Sequence, residues 1–174
     1  KFELGLIRNH YVGRTFIEPT QSIRSLGVKL KLNSSKTIIK NKSIILIDDS
    51  LVRGTTCHKI VKMLFENGAK EVHVRIACPE IKYPDFYGVD MPSKKELLAN
   101  GKNNKEMCDY IKATSLKFLS LDGLYNALLQ DKRNSSYPQF SDHYFTGDYP
   151  IEPRDNIEEI KIKQLSLLSG KSNN

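Results

Sequence analysis

The stretch IILIDDSLVRGTT, residues 44–56, decides the fold class of this 174-residue chain. It opens with four consecutive apolar residues, 44–47, which stop at the adjacent carboxylates Asp48 and Asp49. A short aliphatic run without polar alternation predicts a strand that is buried on both faces of a parallel sheet. Gly54 lies in the polar loop that follows, where the backbone can take a positive φ or let a ligand approach closely.

The pattern after this loop predicts a helix over residues 57–67, with Thr55 and Thr56 as candidate N-caps. Loop amides and the helix dipole favour a phosphate, and paired carboxylates suit sugar hydroxyls or a hard cation. The stretch therefore predicts a phosphate site beside a diol or metal site. The alternative is an ordinary βα loop of a Rossmann-like domain, in which the two aspartates are only a solvated strand end.

The rest of the chain continues an α/β pattern. Gly68 predicts a left-handed helix stop, and residues 72–78 predict a second strand, parallel to the first through a right-handed crossover. The other predicted elements are a strand at the sheet edge (2–7), a helix opened by a Ser93–Glu96 capping box, a helix (104–113), a third strand (116–121), a helix capped by Asp122, and a last helix (156–168).

Composition narrows the class of protein. Hydrophobic residues make up 39% of the chain and charged residues 27%, which is ordinary for a globular domain. No apolar run reaches membrane-spanning length, and the net charge of +7 is spread along the chain without an arginine-rich arm. We therefore expect neither a membrane nor a nucleic-acid partner.

The three cysteines, Cys57, Cys78 and Cys108, show no C-x-x-C pairing. This argues against a disulfide framework or zinc site and favours the reducing environment of the cytoplasm. Cys57, at the predicted helix start, has two interpretations: a thiol with a lowered pKa, or a plain small helix residue.

Four segments in order along residues 2–150 resemble the glutamine phosphoribosylpyrophosphate amidotransferases: YVGRTFI (11–17), IDDSLVRGTT (47–56), PEIKYPDFYGVDMPS (79–93) and YFTGDYP (144–150). The resemblance implies an α/β fold with a type I phosphoribosyltransferase-like parallel sheet flanked by helices, and a mostly helical and loop C-terminal extension. It places a partial phosphoribosyltransferase domain at residues 1–132. Residues 133–174 are then an extension of aromatic loop, helix and disordered tail.

The family's reaction displaces pyrophosphate from phosphoribosyl pyrophosphate with ammonia taken from glutamine, giving phosphoribosylamine for purine synthesis. By resemblance, Asp48 and Asp49 bind the ribose hydroxyls and Mg²⁺. The residues implied to cradle the 5-phosphate are Ser50, Arg53, Gly54, Thr55 and Thr56.

Residues 8–32 are rich in cations, and composition alone predicts a solvated surface segment there. The resemblance instead implies a mobile active-site loop that closes on the substrate. The residues implied to meet the pyrophosphate in a catalytic role are Arg14, Arg24, Lys29 and Lys31.

The sequence also departs from the family pattern. It has no counterpart of the glutaminase domain or of the pyrophosphate-binding loop, so we expect a homo-oligomer or the missing N-terminal part as partner. Asp85, Ser141 and Tyr144 stand where some members carry iron–sulfur cysteines, so we expect no iron–sulfur cluster.

These departures lead us to predict that the chain alone is inactive or nearly so as an amidotransferase. Two alternatives remain open. The chain could be an inactive phosphoribosyl-pyrophosphate-binding remnant of a split or truncated gene, or a phosphoribosyltransferase-fold regulator.

Overall fold

A computed structural model of the chain describes residues 2–8, 32–89, 91 and 93–151. Its elements, in chain order, are strands β1 (Leu6–Arg8) and β2 (Leu32–Ser34), helix α1 (Lys36–Ile39), β3 (Ser43–Asp48), α2 (Thr55–Glu66), β4 (Glu71–Ile76), a 3-10 turn (Lys94–Glu96), α3 (Asn104–Ile111), β5 (Ser115–Phe118), α4 (Leu121–Ala127) and α5 (His143–Thr146).

A parallel sheet in the order β3-β4-β5 forms the centre of the described chain. Ile44 lies opposite Val72 across the first pair of strands, and Val74 lies opposite Leu116 across the second. The predicted α/β class and the parallel pairing of the first two strands are therefore confirmed.

The core lies between one face of this sheet and the helices α2 and α3. Val72 and Val74 point from β4 into the core, and Val61 from α2 and Met107 from α3 meet them there, all fully buried. Each such side chain stabilises the fold by roughly 1.5–3 kcal/mol relative to the exposed state.

The prediction that the first strand is buried on both faces is wrong for the described chain. Ile44 and Leu46 pack against the core, whereas Ile45 and Ile47 are 64% and 71% exposed. The physical reason is that α2 and α3 pack on one face of the sheet only. A continuous apolar run cannot show which of its faces another element covers.

The predicted edge strand at residues 2–7 is also corrected. Only Leu6–Arg8 is a strand, and it pairs antiparallel with Leu32–Ser34 in a separate two-stranded sheet. Two caps differ from the predictions as well. Gly54, not a threonine, is the N-cap of α2, and Ser120, not Asp122, caps α4 by accepting a hydrogen bond from the Gly123 amide. The left-handed Gly68 (φ 88°) and the Ser93–Glu96 capping box are confirmed, although the box opens a 3-10 turn.

Hydrogen bonds and ion pairs of largely buried charged side chains hold residues 133–151 in place. Asp142 accepts hydrogen bonds from the Tyr125 hydroxyl at 2.8 Å and from Arg133 Nε at 2.5 Å, and Arg133 also reaches Asp148 at 2.6 Å. Although burial by itself raises the pKa of Asp142, the hydrogen bonds from Arg133 and Tyr125 bring it below its ordinary value. The division of the chain at residue 132 stays a prediction, and the predicted helix at 156–168 lies outside the described residues.

Candidate functional site

Asp48 and Asp49 lie at the carboxyl end of β3, where parallel sheets hold their ligands. The Asp48 carbonyl accepts a hydrogen bond from the Ala77 amide at 2.9 Å, which continues the β3–β4 pairing to the sheet edge. The Asp49 amide donates to Asp48 Oδ1 at 3.1 Å, and the Ser50 hydroxyl donates to Asp49 Oδ1 at 3.0 Å. Both carboxylates are therefore held in place by the start of the loop.

Burial and the charges of the two aspartates raise pKa values at this end of the strand. Burial raises the pKa of Asp48, and the charge of Asp49 adds to the rise against the hydrogen bond from the Asp49 amide. Burial and the Asp48 charge raise the pKa of the Cys57 thiol to about 12. Of the two interpretations of Cys57, the structure therefore supports the inert helix residue.

The loop at residues 50–56, which we call the phosphate loop after the site predicted for it, runs from Asp49 into the first turn of α2. Gly54 takes a left-handed conformation at the N-cap, with φ of 75° and ψ of −11°. It has no side chain to accept hydrogen bonds from the first-turn amides, and the first turn contains no acidic residue. A bound anion is the partner that suits amides left in this state at the positive end of a helix dipole.

Gly54 is also closely surrounded. A Cβ at this position would lie 2.7 Å from Leu98 Cδ2 and 3.0 Å from Tyr110 Cε1. The glycine is thus required twice, by its positive φ and by the approach of two side chains from later elements.

Three further contacts hold the phosphate loop and the first turn of α2 against residues 93–110. The Leu98 amide donates to the Val52 carbonyl at 2.8 Å, and Arg53 Nε donates to Glu96 Oε1 at 3.1 Å. His58 Nδ1 lies 3.0 Å from the Tyr110 carbonyl. Sequence reasoning found the Ser93–Glu96 cap but missed these contacts, because no local pattern connects positions more than forty residues apart.

All the predicted 5-phosphate residues lie together in this loop. The four predicted pyrophosphate-facing residues, Arg14, Arg24, Lys29 and Lys31, lie outside the described residues, as does most of the predicted closing loop. A cavity of about 500 Å³ opens at the carboxyl ends of β4 and β5, lined by residues such as Lys82, Asn104 and Lys117. Its lining includes none of the phosphate-loop residues, so the phosphate site predicted at the loop itself stays a prediction.

The donor set at the end of β3 fits Mg²⁺. In proteins this ion is commonly held by one or two carboxylates plus substrate phosphates and water. Asp48 and Asp49 supply two hard oxygen donors, and within residues 2–8, 32–89, 91 and 93–151 no group of three or more His, Cys, Asp or Glu gathers as an all-protein metal site. A cation here would take its further oxygen ligands from the substrate and from water.

The three positions compared with iron–sulfur cysteines meet around His143. His143 Nε2 lies 2.9 Å from Asp85 Oδ1, the Tyr144 hydroxyl donates to the same oxygen at 3.1 Å, and Ser141 Oγ lies 3.0 Å from His143 Nδ1. Polar hydrogen bonds therefore join the loop at residues 83–89 to the segment around α5. We call these four residues the Asp85 network.

Comparison with known proteins shows which proteins this chain is similar to. No protein-family profile matches the chain. It is 56% identical to an amidophosphoribosyltransferase of Rhizobium etli over 97% of this chain and 34% of that protein. It is 50% identical to the chloroplastic amidophosphoribosyltransferase of Glycine max over 95% of this chain and 28% of that protein. The chain thus spans about a third of the length of these curated relatives.

Two solved structures have the same fold. One is the glutamine phosphoribosylpyrophosphate amidotransferase of B. subtilis complexed with ADP and GMP, with a TM-score of 0.71, 44% identity, and coverage of 85% of this chain and 32% of that chain. The other is described as the allosteric regulatory enzyme of purine biosynthesis, with a TM-score of 0.73, 42% identity, and coverage of 90% and 33%. In the described part of the chain, no helix is both long enough and apolar enough to cross a membrane. The chain therefore belongs to the amidophosphoribosyltransferase family, as a homologue of about a third of the full-length proteins.

Proposed function

We propose that this protein binds phosphoribosyl pyrophosphate and contributes the ribose 5-phosphate half of an amidophosphoribosyltransferase site. The observation that carries the proposal is the position of Asp48 and Asp49 beside an uncapped helix N-terminus with a left-handed glycine. Carboxylates suited to a diol and amides suited to a phosphate are then one loop apart, as the two ends of a ribose 5-phosphate require.

The phosphate loop holds the 5-phosphate in this proposal. The first-turn amides of α2 donate to the phosphate oxygens, and Thr55 and Thr56 add hydroxyl donors. The Ser50 hydroxyl adds another when it exchanges its bond to Asp49 for one to the phosphate. Arg53 adds a guanidinium, whose rigid set of donors matches phosphate geometry. Fixing this end of the substrate holds the anomeric carbon still while it reacts.

Asp48 and Asp49 orient the ribose by accepting hydrogen bonds from its 2- and 3-hydroxyls, and they are the residues that would hold Mg²⁺. When bound, Mg²⁺ supplies positive charge that offsets the charge of the departing pyrophosphate. The raised pKa of Asp48 fits a carboxylate that has no cationic partner among the described residues and gains one with the substrate.

The reaction proposed for the complete site is a substitution at the anomeric carbon. The nitrogen lone pair of ammonia forms the new C–N bond, the C–O bond to pyrophosphate breaks with its electron pair on the leaving oxygen, and the nitrogen loses one proton. Asp48 and Asp49 face the positive charge that builds on the ribose. The cations proposed to face the pyrophosphate are Arg14, Arg24, Lys29 and Lys31.

Titration calorimetry of the purified protein with phosphoribosyl pyrophosphate and Mg²⁺ tests this proposal. The Asp49→Asn variant should bind roughly ten- to a hundredfold more weakly, since it loses a charged acceptor for a sugar hydroxyl and the cation. The matched control is Asp131→Asn, because Asp131 is exposed and far along the chain from the loop. Equal affinity of the Asp49→Asn variant and the unmodified protein, or no binding by the unmodified protein, would contradict the proposal.

A further inference from the structure

We propose that Glu96 is a positioning residue for the phosphate loop and acts on it through Arg53. The inference rests on the proposed function, because it concerns how the same loop is prepared for a 5-phosphate. It concerns a residue 43 positions away from Arg53 along the chain, and the folded structure is what brings the two together.

The two oxygens of Glu96 have different partners. Oε1 accepts from Arg53 Nε at 3.1 Å. Oε2 accepts from the Ser93 amide at 3.2 Å and from the Ser93 hydroxyl at 3.1 Å, which closes the capping box. The hydroxyl bond from Ser93 and then the charge of Arg53 lower the pKa of Glu96, so Glu96 is ionised at neutral pH. One carboxylate thereby links the phosphate loop to a turn whose own shape is fixed.

The contact uses only one edge of the guanidinium. Arg53 Nε is engaged with Glu96, and the two Nη groups, with four N–H donors, remain to meet phosphate oxygens. A long side chain that is already held in one place loses less conformational freedom when it binds an anion. Glu96 therefore prepares Arg53 for binding while leaving free the donors that binding needs.

Neighbouring contacts hold the turn that carries Glu96 in place. The Leu98 amide donates to the Val52 carbonyl at 2.8 Å, and Leu97 and Leu98 are buried. The turn that carries Glu96 is thus anchored in the core on the side of the phosphate loop. The side chains of Arg53 and Glu96 are themselves 46% and 50% exposed, which limits the expected effect to the range of an exposed ion pair.

Three single variants separate this role from a merely structural one. Glu96→Ala removes the contact with Arg53, and Glu96→Gln keeps a neutral acceptor for Arg53 together with the capping pattern, which accepts glutamine. Ser93→Ala is the matched control, because it weakens the same cap but leaves the Arg53 contact in place. The double variant Arg53→Gln/Glu96→Ala is compared with Arg53→Gln alone.

The measurement is the dissociation constant of ribose 5-phosphate and of phosphoribosyl pyrophosphate, with the unfolding midpoint recorded for every variant. Glu96→Ala should weaken both ligands about three- to fivefold, in line with an exposed ion pair. Glu96→Gln and Ser93→Ala should stay within about twofold of the unmodified protein, and Glu96→Ala should have no further effect in the Arg53→Gln background.

Two results overturn the inference alone: unchanged or tighter binding by Glu96→Ala, and an equal loss with and without Arg53. Failure of the unmodified protein to bind either ligand overturns the proposed function and this inference with it. The two failures are therefore distinguishable.

Discussion

Adding a methyl group at Gly54 tests how tightly the phosphate loop is enclosed, and the chain contains its own control. Gly54 and Gly101 have nearly the same backbone angle, with φ of 75° and 76°. A Cβ on Gly54 would lie 2.7 Å from Leu98 Cδ2, whereas a Cβ on Gly101 would meet no heavy atom of the described chain within 4 Å. The two Gly→Ala variants thus share the backbone strain and differ in the side-chain clash.

The left-handed conformation costs an alanine roughly 1–2 kcal/mol at either position. Overpacking against Leu98 and Tyr110 adds roughly 1–3 kcal/mol at Gly54 only. We therefore expect Gly54→Ala to lower the free energy of unfolding by about 2–5 kcal/mol in total, and Gly101→Ala by about 1–2 kcal/mol. The effect of Gly→Ala on the unfolded chain is similar for both and cancels in the comparison.

Urea unfolding followed by circular dichroism measures both variants against the unmodified protein. Gly54→Ala should also weaken phosphoribosyl pyrophosphate, since the clash displaces the loop amides, and Gly101→Ala should not. Equal destabilisation by the two substitutions would refute the reasoning, because it would mean that Leu98 and Tyr110 yield without cost.

Three other predictions concern titratable groups. The first concerns Asp48, whose pKa is raised in the folded protein, so that the folded state loses stability as pH rises through that pKa. Asp48→Asn should therefore be more stable than the unmodified protein at pH 7, and the difference should be absent near pH 3. Urea unfolding at the two pH values measures the free energy of unfolding of both proteins. Burial alone would raise the pKa of Asp85, but hydrogen bonds such as that from the Val89 amide lower it to about 2; the resulting stability is complete above an unfolded pKa of ~3.9 and is lost as pH falls toward 2. Thermal melts of Asp85→Asn should accordingly show a flatter pH dependence between these limits, and an unchanged slope would contradict the assignment. Cys57, buried and with its pKa raised to about 12, should resist alkylation by iodoacetamide at pH 7.5 until urea unfolds the protein, as mass spectrometry of peptides can show.

The fold class could be predicted because each of its main elements has a recognisable pattern within one short stretch of sequence. The apolar run at residues 44–47 and the strand predicted at residues 72–78 match β3 and β4, and helical spacing after the loop matches α2. The boundaries were less accurate, since the conformation of Gly54 lets α2 begin two residues before the predicted start. The exposure of Ile45 and Ile47 could not be predicted, because burial depends on which other elements pack on a face.

The candidate site also has a part that is continuous in sequence and a part that is assembled only by folding. Its carboxylates and phosphate loop form one continuous stretch, so both their chemistry and their order are legible in residues 48–56. The residues that hold the loop come from later parts of the chain, and each also has a local role. Glu96 closes a capping box, and Leu98 is a buried apolar residue, so neither pattern suggests a second contact.

The Asp85 network shows how chemistry can differ where a position departs from its family pattern. Resemblance marked Asp85, Ser141 and Tyr144 as replacements for cysteines, yet it did not mark His143, the group that connects them. The side chains of Asp85 and His143 are 0% and 2% exposed, and Asp85 Oδ1 is the partner of the buried ring nitrogen Nε2 of His143. Removing Asp85 leaves His143 Nε2 without this partner in a buried position, which costs more than the net worth of the lost hydrogen bond. Substitutions in this network should therefore be strongly non-additive, because the contacts between residues 83–89 and α5 act as one cooperative unit.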